Sequence, residues 1–227
     1  MHDSNGRLEW SVALPERRGP ALSGPRPRAE LTLVTPDRGE EHLSIPLSVG
    51  KTLKAKLDSN ELNPSSRAEL LYALREESAQ QASLRIERLV NRRDYATQEI
   101  DEKLRQDGFS QASREAAISR AVDANILNDQ RYASVFVRSK LSSGWGTMRI
   151  ERELRRRGID LGELDGWPDE FLEDQDEDTR AYELAQTRRI SPKNGYEKLV
   201  RFLCSKGYSL SVSMRVARRV IDERESE

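Results

Sequence analysis

A chain of 227 residues with 36% hydrophobic and 34% charged side chains can bury a core as one or two domains, or as an array of small modules, and so surface-heavy a composition suits a thin, elongated helical assembly better than a sphere. The formal charge of −1 gives no overall bias towards a polyanion or a polycation. A lone cysteine, Cys204, excludes an intramolecular disulfide, and neither a bilayer-length apolar run of roughly 20 residues nor a basic-then-apolar leader is present, so a cytoplasmic protein without membrane contact is expected.

Residues 1–28 carry Pro15, Pro20, Pro25 and Pro27 among glycines and arginines, with little apolar material to pack, and are predicted to be a flexible tail. The pattern alternates over Ala29–Thr35 and again over Glu41–Leu47, separated by the turn signal Pro36-Asp37-Arg38-Gly39, which predicts one β-hairpin. Two strands alone are marginal in water, so the hairpin should pack on another element or extend another sheet. Between Val49 and Gln80 a series of leucines predicts one or two helices forming a connector up to residue 79. They are broken near Asn63-Pro64, with Ser65 or Ser66 available to cap the second.

From residue 80 onward the sequence repeats. Ile100, Ile150 and Leu199 fall in register, as do Leu104, Leu154 and Leu203, and Gly108, Gly158 and Gly207, each glycine followed by a bulky apolar residue; the offsets are 50 and 49 residues. Such a period marks stacked supersecondary units. The predicted fold is mainly α: three tandem three-helix repeats over 80–127, 128–176 and 177–227 in an elongated array, preceded by a small β-hairpin. Lead helices are expected near 80–93, 130–142 and 178–190. Closing helices are expected to be seamed by Ile118 and Val122 in the first repeat and by Val212, Val216 and Val220 in the third.

The second repeat is the most distinctive. Tyr132, Val135, Phe136 and Ser139 lie at the spacing of one buried stripe, with Arg131, Arg138 and Lys140 outside it. Gly144 and Gly146 then bracket Trp145, and Gly146 or Thr147 can cap a helix in which Ile150 and Leu154 form the seam while Arg149, Arg152, Arg155, Arg156 and Arg157 cover the other faces. Between Gln130 and Asp160 eight basic residues face three acids, a local balance of +5. Residues 163–178 reverse this with nine acids and no base, which predicts a short or broken closing helix and an exposed acidic linker.

No catalytic constellation is recognisable. His2 and His42 lack partners for nucleophilic catalysis or metal binding, Gly144-Trp145-Gly146 is too short for a phosphate loop, and the acidic run has no ligand spacing, so no enzyme activity, cofactor or metal is expected. The arginine-covered helix has no apolar face for lipid; it suits a polyanion or an acidic protein groove, or it complements the helix dipole and keeps a small module soluble. Trp145, if exposed, could stack on a base or a partner side chain; the equivalent place of Tyr95 in the first repeat points instead to a core role.

At these residues the chain resembles the RecX family of bacterial regulators of the RecA recombinase. The resemblance rests on Asn128-Asp129-x-Arg131-Tyr132-Ala133, Phe136-Val137-Arg138-Ser139-Lys140, Gly144-x-Gly146 and Arg149-Ile150-x-x-Glu153-Leu154-x-x-Arg157-Gly158-Ile159, which follow the family's elements in order. Asn128 stands where the family's first aspartate is usual, Lys140 stands for an arginine, and the acidic segment is unusually long. The resemblance implies a non-catalytic protein that binds in the groove of the RecA filament on single-stranded DNA, bridging protomers and suppressing ATP turnover, strand exchange and co-protease activity. Arg138, Lys140, Arg149, Arg152, Arg155, Arg156 and Arg157 would then contact RecA or DNA, single-stranded or possibly duplex, with Asp129, Arg131 and Trp145 setting the turn or meeting the partner. No dimerisation seam is visible, and a monomer is expected. The alternative is a stand-alone nucleic-acid-binding protein, since a three-helix unit with a basic helix imitates a helix-turn-helix module.

Overall fold

Alternating Ala29, Leu31, Leu33 and Thr35 put every second side chain of one strand on one face, and that face is buried in the N-terminal unit. The computed structural model describes residues 8–16, 26–172, 176–189 and 194–225. The central strand, β2 (Arg28–Thr35), pairs antiparallel with β3 (Gly39–Pro46) through the expected turn, and on its other side with β1 (Glu9–Ala13), giving the order β1-β2-β3. The structure thus corrects the hairpin to a three-stranded sheet and the 1–28 tail to a chain that includes a strand. Leu8 and Val12 are buried, Trp10 opposes Leu33, and the Leu8 amide donates to the Pro64 carbonyl at 2.9 Å. A run of only five residues carries a weak strand signal; pairing with β2 is what stabilises it. His2 lies outside the described residues.

Pro46 ends β3 and leads into α1 (Leu47–Asp58), whose Val49 and Leu53 pack under the sheet. Next, α2 (Arg67–Val90) starts where Ser66 accepts the Glu69 amide. It runs unbroken through residue 79, so connector and first lead helix are one element. Then α3 (Thr97–Asp107) and α4 (Gln111–Asp123) complete the first repeat. The seam of α4 is Ala117 and Ala121; Ile118 is half-buried and Val122 exposed, because small side chains let α4 pack close against α2. Sheet, α1 and first repeat share one hydrophobic core, in which Leu31, Leu53, Ile86, Ile100 and Leu104 are almost fully buried.

The chain divides into two compact units, one up to Leu127 and one from Asn128. In the second, α5 (Asp129–Ser142) and α6 (Thr147–Arg155) are followed by a 3₁₀ turn at Leu161–Glu163 and the short α7 (Asp169–Leu172), then α8 (Glu177–Gln186), α9 (Gly195–Lys206) and α10 (Leu210–Glu225). The seam of α5 is Ala133 and Val137, with Tyr132 and Phe136 half-buried beside it. Val135, expected in the stripe, is 58% exposed, and Ser139 is exposed too. Val212, Val216 and Val220 are buried as the spacing predicts. Middle helices of all three repeats close alike. Gly108, Gly158 and Gly207 have φ of +93°, +74° and +99°, and the next amide reaches back to Leu104, Leu154 or Leu203 at 3.1, 3.1 and 3.2 Å. Part of the acidic stretch is helix start rather than linker: Asp176 caps α8, with Glu177 and Asp178 in its first turn. Glu173 and Asp174 lie outside the described residues.

Candidate functional site

Ile150 and Leu154, both fully buried, fix the rotation of α6 and thereby decide which arginines face out. Arg152, Arg155 and Arg156 are left exposed, whereas Arg149, at the start of the helix, is half-buried. Arg155 and Arg156 extend over solvent while pairing within the helix to Glu151 and Glu153, the latter at 3.1 Å. Arg152 is exposed and has no ion-pair partner among the described residues.

The other cations are held more closely. Arg157, 26% exposed, bonds Glu153 through Nη1 at 3.1 Å and lies 5.1 Å from the centre of the Phe136 ring. That hydrogen bond, followed by the nearby positive charges of Arg156, Arg157 and Arg152, holds the Glu153 carboxyl below the usual glutamate range, against the opposing effect of partial burial. Lys140 sits 5.3 Å from Phe136 and 5.0 Å from Trp145. The Arg138 guanidinium lies 4.6 Å from the Phe171 ring, at the short α7. The seven cations therefore do not form one patch. An exposed set on α6 stands apart from an inner set clasped to aromatic rings, where a cation over a ring face contributes about 0.5–1 kcal/mol.

Trp145 is half-buried. The Arg149 guanidinium lies 3.7 Å from its ring centre, and Phe136 meets it edge-on at 6.4 Å. A base could stack on the face under Arg149 only by displacing that arginine. At the other end of α5, Asn128 caps the helix by accepting the Arg131 amide at 2.8 Å, and Asp129 is the acid of its first turn, which places both Asp129 and Arg131 at the helix start.

Residues of the third repeat that carry no local sequence signal complete this region. Arg180 donates to the Trp145 carbonyl at 2.7 Å, and Arg149 to the Ser205 carbonyl at 3.0 Å. The Gly146 amide donates to the Lys206 carbonyl at 2.9 Å, and Glu177 takes the Thr147 amide at 3.2 Å and its hydroxyl, capping α6 from outside. A Cβ on Gly146 would stand 2.3 Å from the Gly207 oxygen, and one on Gly207 2.3 Å from the Arg149 Cβ. The Gly-Trp-Gly element is thus a docking knuckle between repeats. No group of three His, Cys, Asp or Glu side chains that could hold a metal occurs among the described residues, and no helix there is long and apolar enough to cross a membrane.

Tandem three-helix units, the second with an arginine-covered middle helix, define a helical-repeat protein. The family model for the second three-helix domain of RecX matches residues 128–161. The regulatory protein RecX of Vibrio campbellii is 36% identical over 123 residues, 53% of this chain and 79% of that protein. That of Pseudomonas fluorescens is 33% identical over 130 residues, 56% and 84% of the two chains. The chain belongs to the RecX family. Its fold matches a crystal structure of a regulatory protein RecX with a TM-score of 0.53 at 16% identity, covering 92% of this chain and 98% of that one. RecX from Lactobacillus salivarius matches with a TM-score of 0.51 at 18% identity, over 63% and 97%.

Proposed function

We propose that this chain regulates RecA by lying in the groove of the RecA filament on single-stranded DNA, bridging neighbouring protomers and lowering ATP hydrolysis, strand exchange and co-protease activity. The observation that carries this is the exposed set Arg152, Arg155 and Arg156 within the segment matched to the RecX second three-helix domain. Arg152, Arg155 and Arg156 take the contacts to DNA or to acidic side chains of the filament. Lys140, Arg149 and Arg157, occupied by Trp145, Phe136 and Glu153, hold the shape of the surface.

The test is the steady-state ATPase rate of the same organism's RecA on single-stranded DNA as the protein is titrated in. The native chain should lower the rate at substoichiometric amounts, and Arg152→Gln/Arg156→Gln should raise the half-inhibitory concentration roughly tenfold, as two exposed charge contacts of up to ~1 kcal/mol each would give. Glutamine is the cleaner replacement, because glutamates at 152 and 156 would face each other at i, i+4. Inhibition unchanged by the double variant refutes the assignment of these residues. No inhibition by the native chain, with tight DNA binding on its own, would replace the regulator with a stand-alone nucleic-acid-binding protein.

A further inference from the structure

In the first unit the residues just before β2, the N-terminus of α1, α2 and the end of α3 line a cavity of about 260 Å³, open to solvent on one side. Arg85 and Arg88, one turn apart on α2, line it together with Arg26 and Asp107. Asp107, 17% exposed, ties Arg26 to one carboxylate oxygen and Arg85 to the other, the latter at 2.8 Å. A fourth guanidinium stands close by: the Nε of Arg28 lies 2.8 Å from where a Cβ on Gly108 would be, next to Asp107 in the chain. Among the described residues neither Arg28 nor Arg88 has a carboxylate partner. Three lining guanidiniums against one lining carboxylate leave an excess of two positive charges around a concave site, with Arg28 adding a further cation at its margin, where reduced screening makes their repulsion costly and an entering anion favourable.

The helix that opens onto the cavity has the same sign. Pro46 supplies no side-chain acceptor at the α1 N-cap and its first turn has no acid, while Leu47 and Ser48 line the space. Planar guanidinium forks match phosphate oxygens. The open side lets a polymer enter and leave, which a diester linkage requires and a free ion does not.

We propose that this cavity is a second anion site, separate from α6, that holds a backbone phosphate of a nucleic acid. It uses Arg28 and Arg88 as the unpaired cations and the Asp107 bridge as the frame that positions Arg26 and Arg85. The assay contains no RecA, so its failure leaves the ATPase experiment untouched.

The full chain is titrated against a fluorescein-labelled single-stranded oligothymidylate, with anisotropy read over a range of salt. Arg28→Gln/Arg88→Gln leaves the Asp107 bridge intact. It is expected to weaken binding on the order of tenfold at low salt and to flatten the salt dependence by about one to two phosphate contacts. The loss should be the same in the native background and in Arg152→Gln/Arg156→Gln. Unchanged affinity and salt slope, with the circular-dichroism spectrum retained, overturns the proposal. Calorimetric binding of inorganic phosphate that depends on Arg28 and Arg88, with oligothymidylate affinity unaffected by their loss, would make this a free-phosphate site and overturn the nucleic-acid assignment.

Discussion

Three glycine-to-alanine substitutions separate backbone strain from crowding at the knuckle between the second and third repeats. Gly39 has a φ of +71° and nothing within 4 Å of an added Cβ, so alanine there meets strain alone. Gly146 has an ordinary φ of −76°, yet its Cβ would stand 2.3 Å from the Gly207 carbonyl oxygen, which is crowding alone. Gly207 combines both, with a φ of +99° and Arg149 backbone and side-chain atoms at 2.3–3.1 Å. Left-handed strain costs an L-residue about 1–2 kcal/mol, partly offset by a stiffer unfolded chain, ~0.4–1 kcal/mol. Overpacking costs about 1–3 kcal/mol. Gly39→Ala should therefore destabilise by about 1 kcal/mol or less, Gly146→Ala by about 1–2, and Gly207→Ala by about 2–4. Urea unfolding followed by circular dichroism measures each; a Trp10→Phe background leaves Trp145 and Trp167 as fluorescent reporters of the second unit for Gly146→Ala and Gly207→Ala, and a Trp145→Phe/Trp167→Phe background leaves Trp10 to report the first unit for Gly39→Ala. A cost below ~0.5 kcal/mol for Gly146→Ala, the range of a neutral surface change, would refute docking of the repeats through this contact.

Acid should weaken the second repeat through Glu153. Its carboxyl is depressed in the folded state, so its stabilisation is complete above the unfolded value near 4.5 and is lost as pH falls through the lower folded value. The difference in urea midpoint between the native chain and Glu153→Gln is expected to be clear at neutral pH and to shrink at acid pH; a constant difference across that range would exclude the carboxylate as its source. In the first unit, Ser66→Ala removes the acceptor of the Glu69 amide and should cost about 1 kcal/mol in the same urea assay, whereas Ser66→Gly should cost only a few tenths.

Much of this molecule is local and therefore legible in its residues. The register of Ile100, Ile150 and Leu199 and the glycines that close each middle helix act over one or two turns, so the repeats, the hairpin turn and the arginine cover of α6 could be read directly. The buried stripe of α5 could not, because two overlapping apolar sets fit its period; the rotation that buries Ala133 and Val137 and leaves Val135 exposed depends on what the helix packs against. Strand β1 is stable only against β2, and Pro15 to Pro27 mask its short pattern. The arginines were visible as a cluster, but their division was not. Arg157 is drawn to Glu153 and Phe136, Arg149 to Trp145 and Ser205, and Arg152 is left outward, as set by aromatic rings and carbonyls distant in the chain. By itself the sequence determined composition, periodicity and turn chemistry, and with them the repeats. The tertiary structure decided which charges are occupied and which are available, because ion pairs and ring contacts form between residues that only folding brings within a few ångströms.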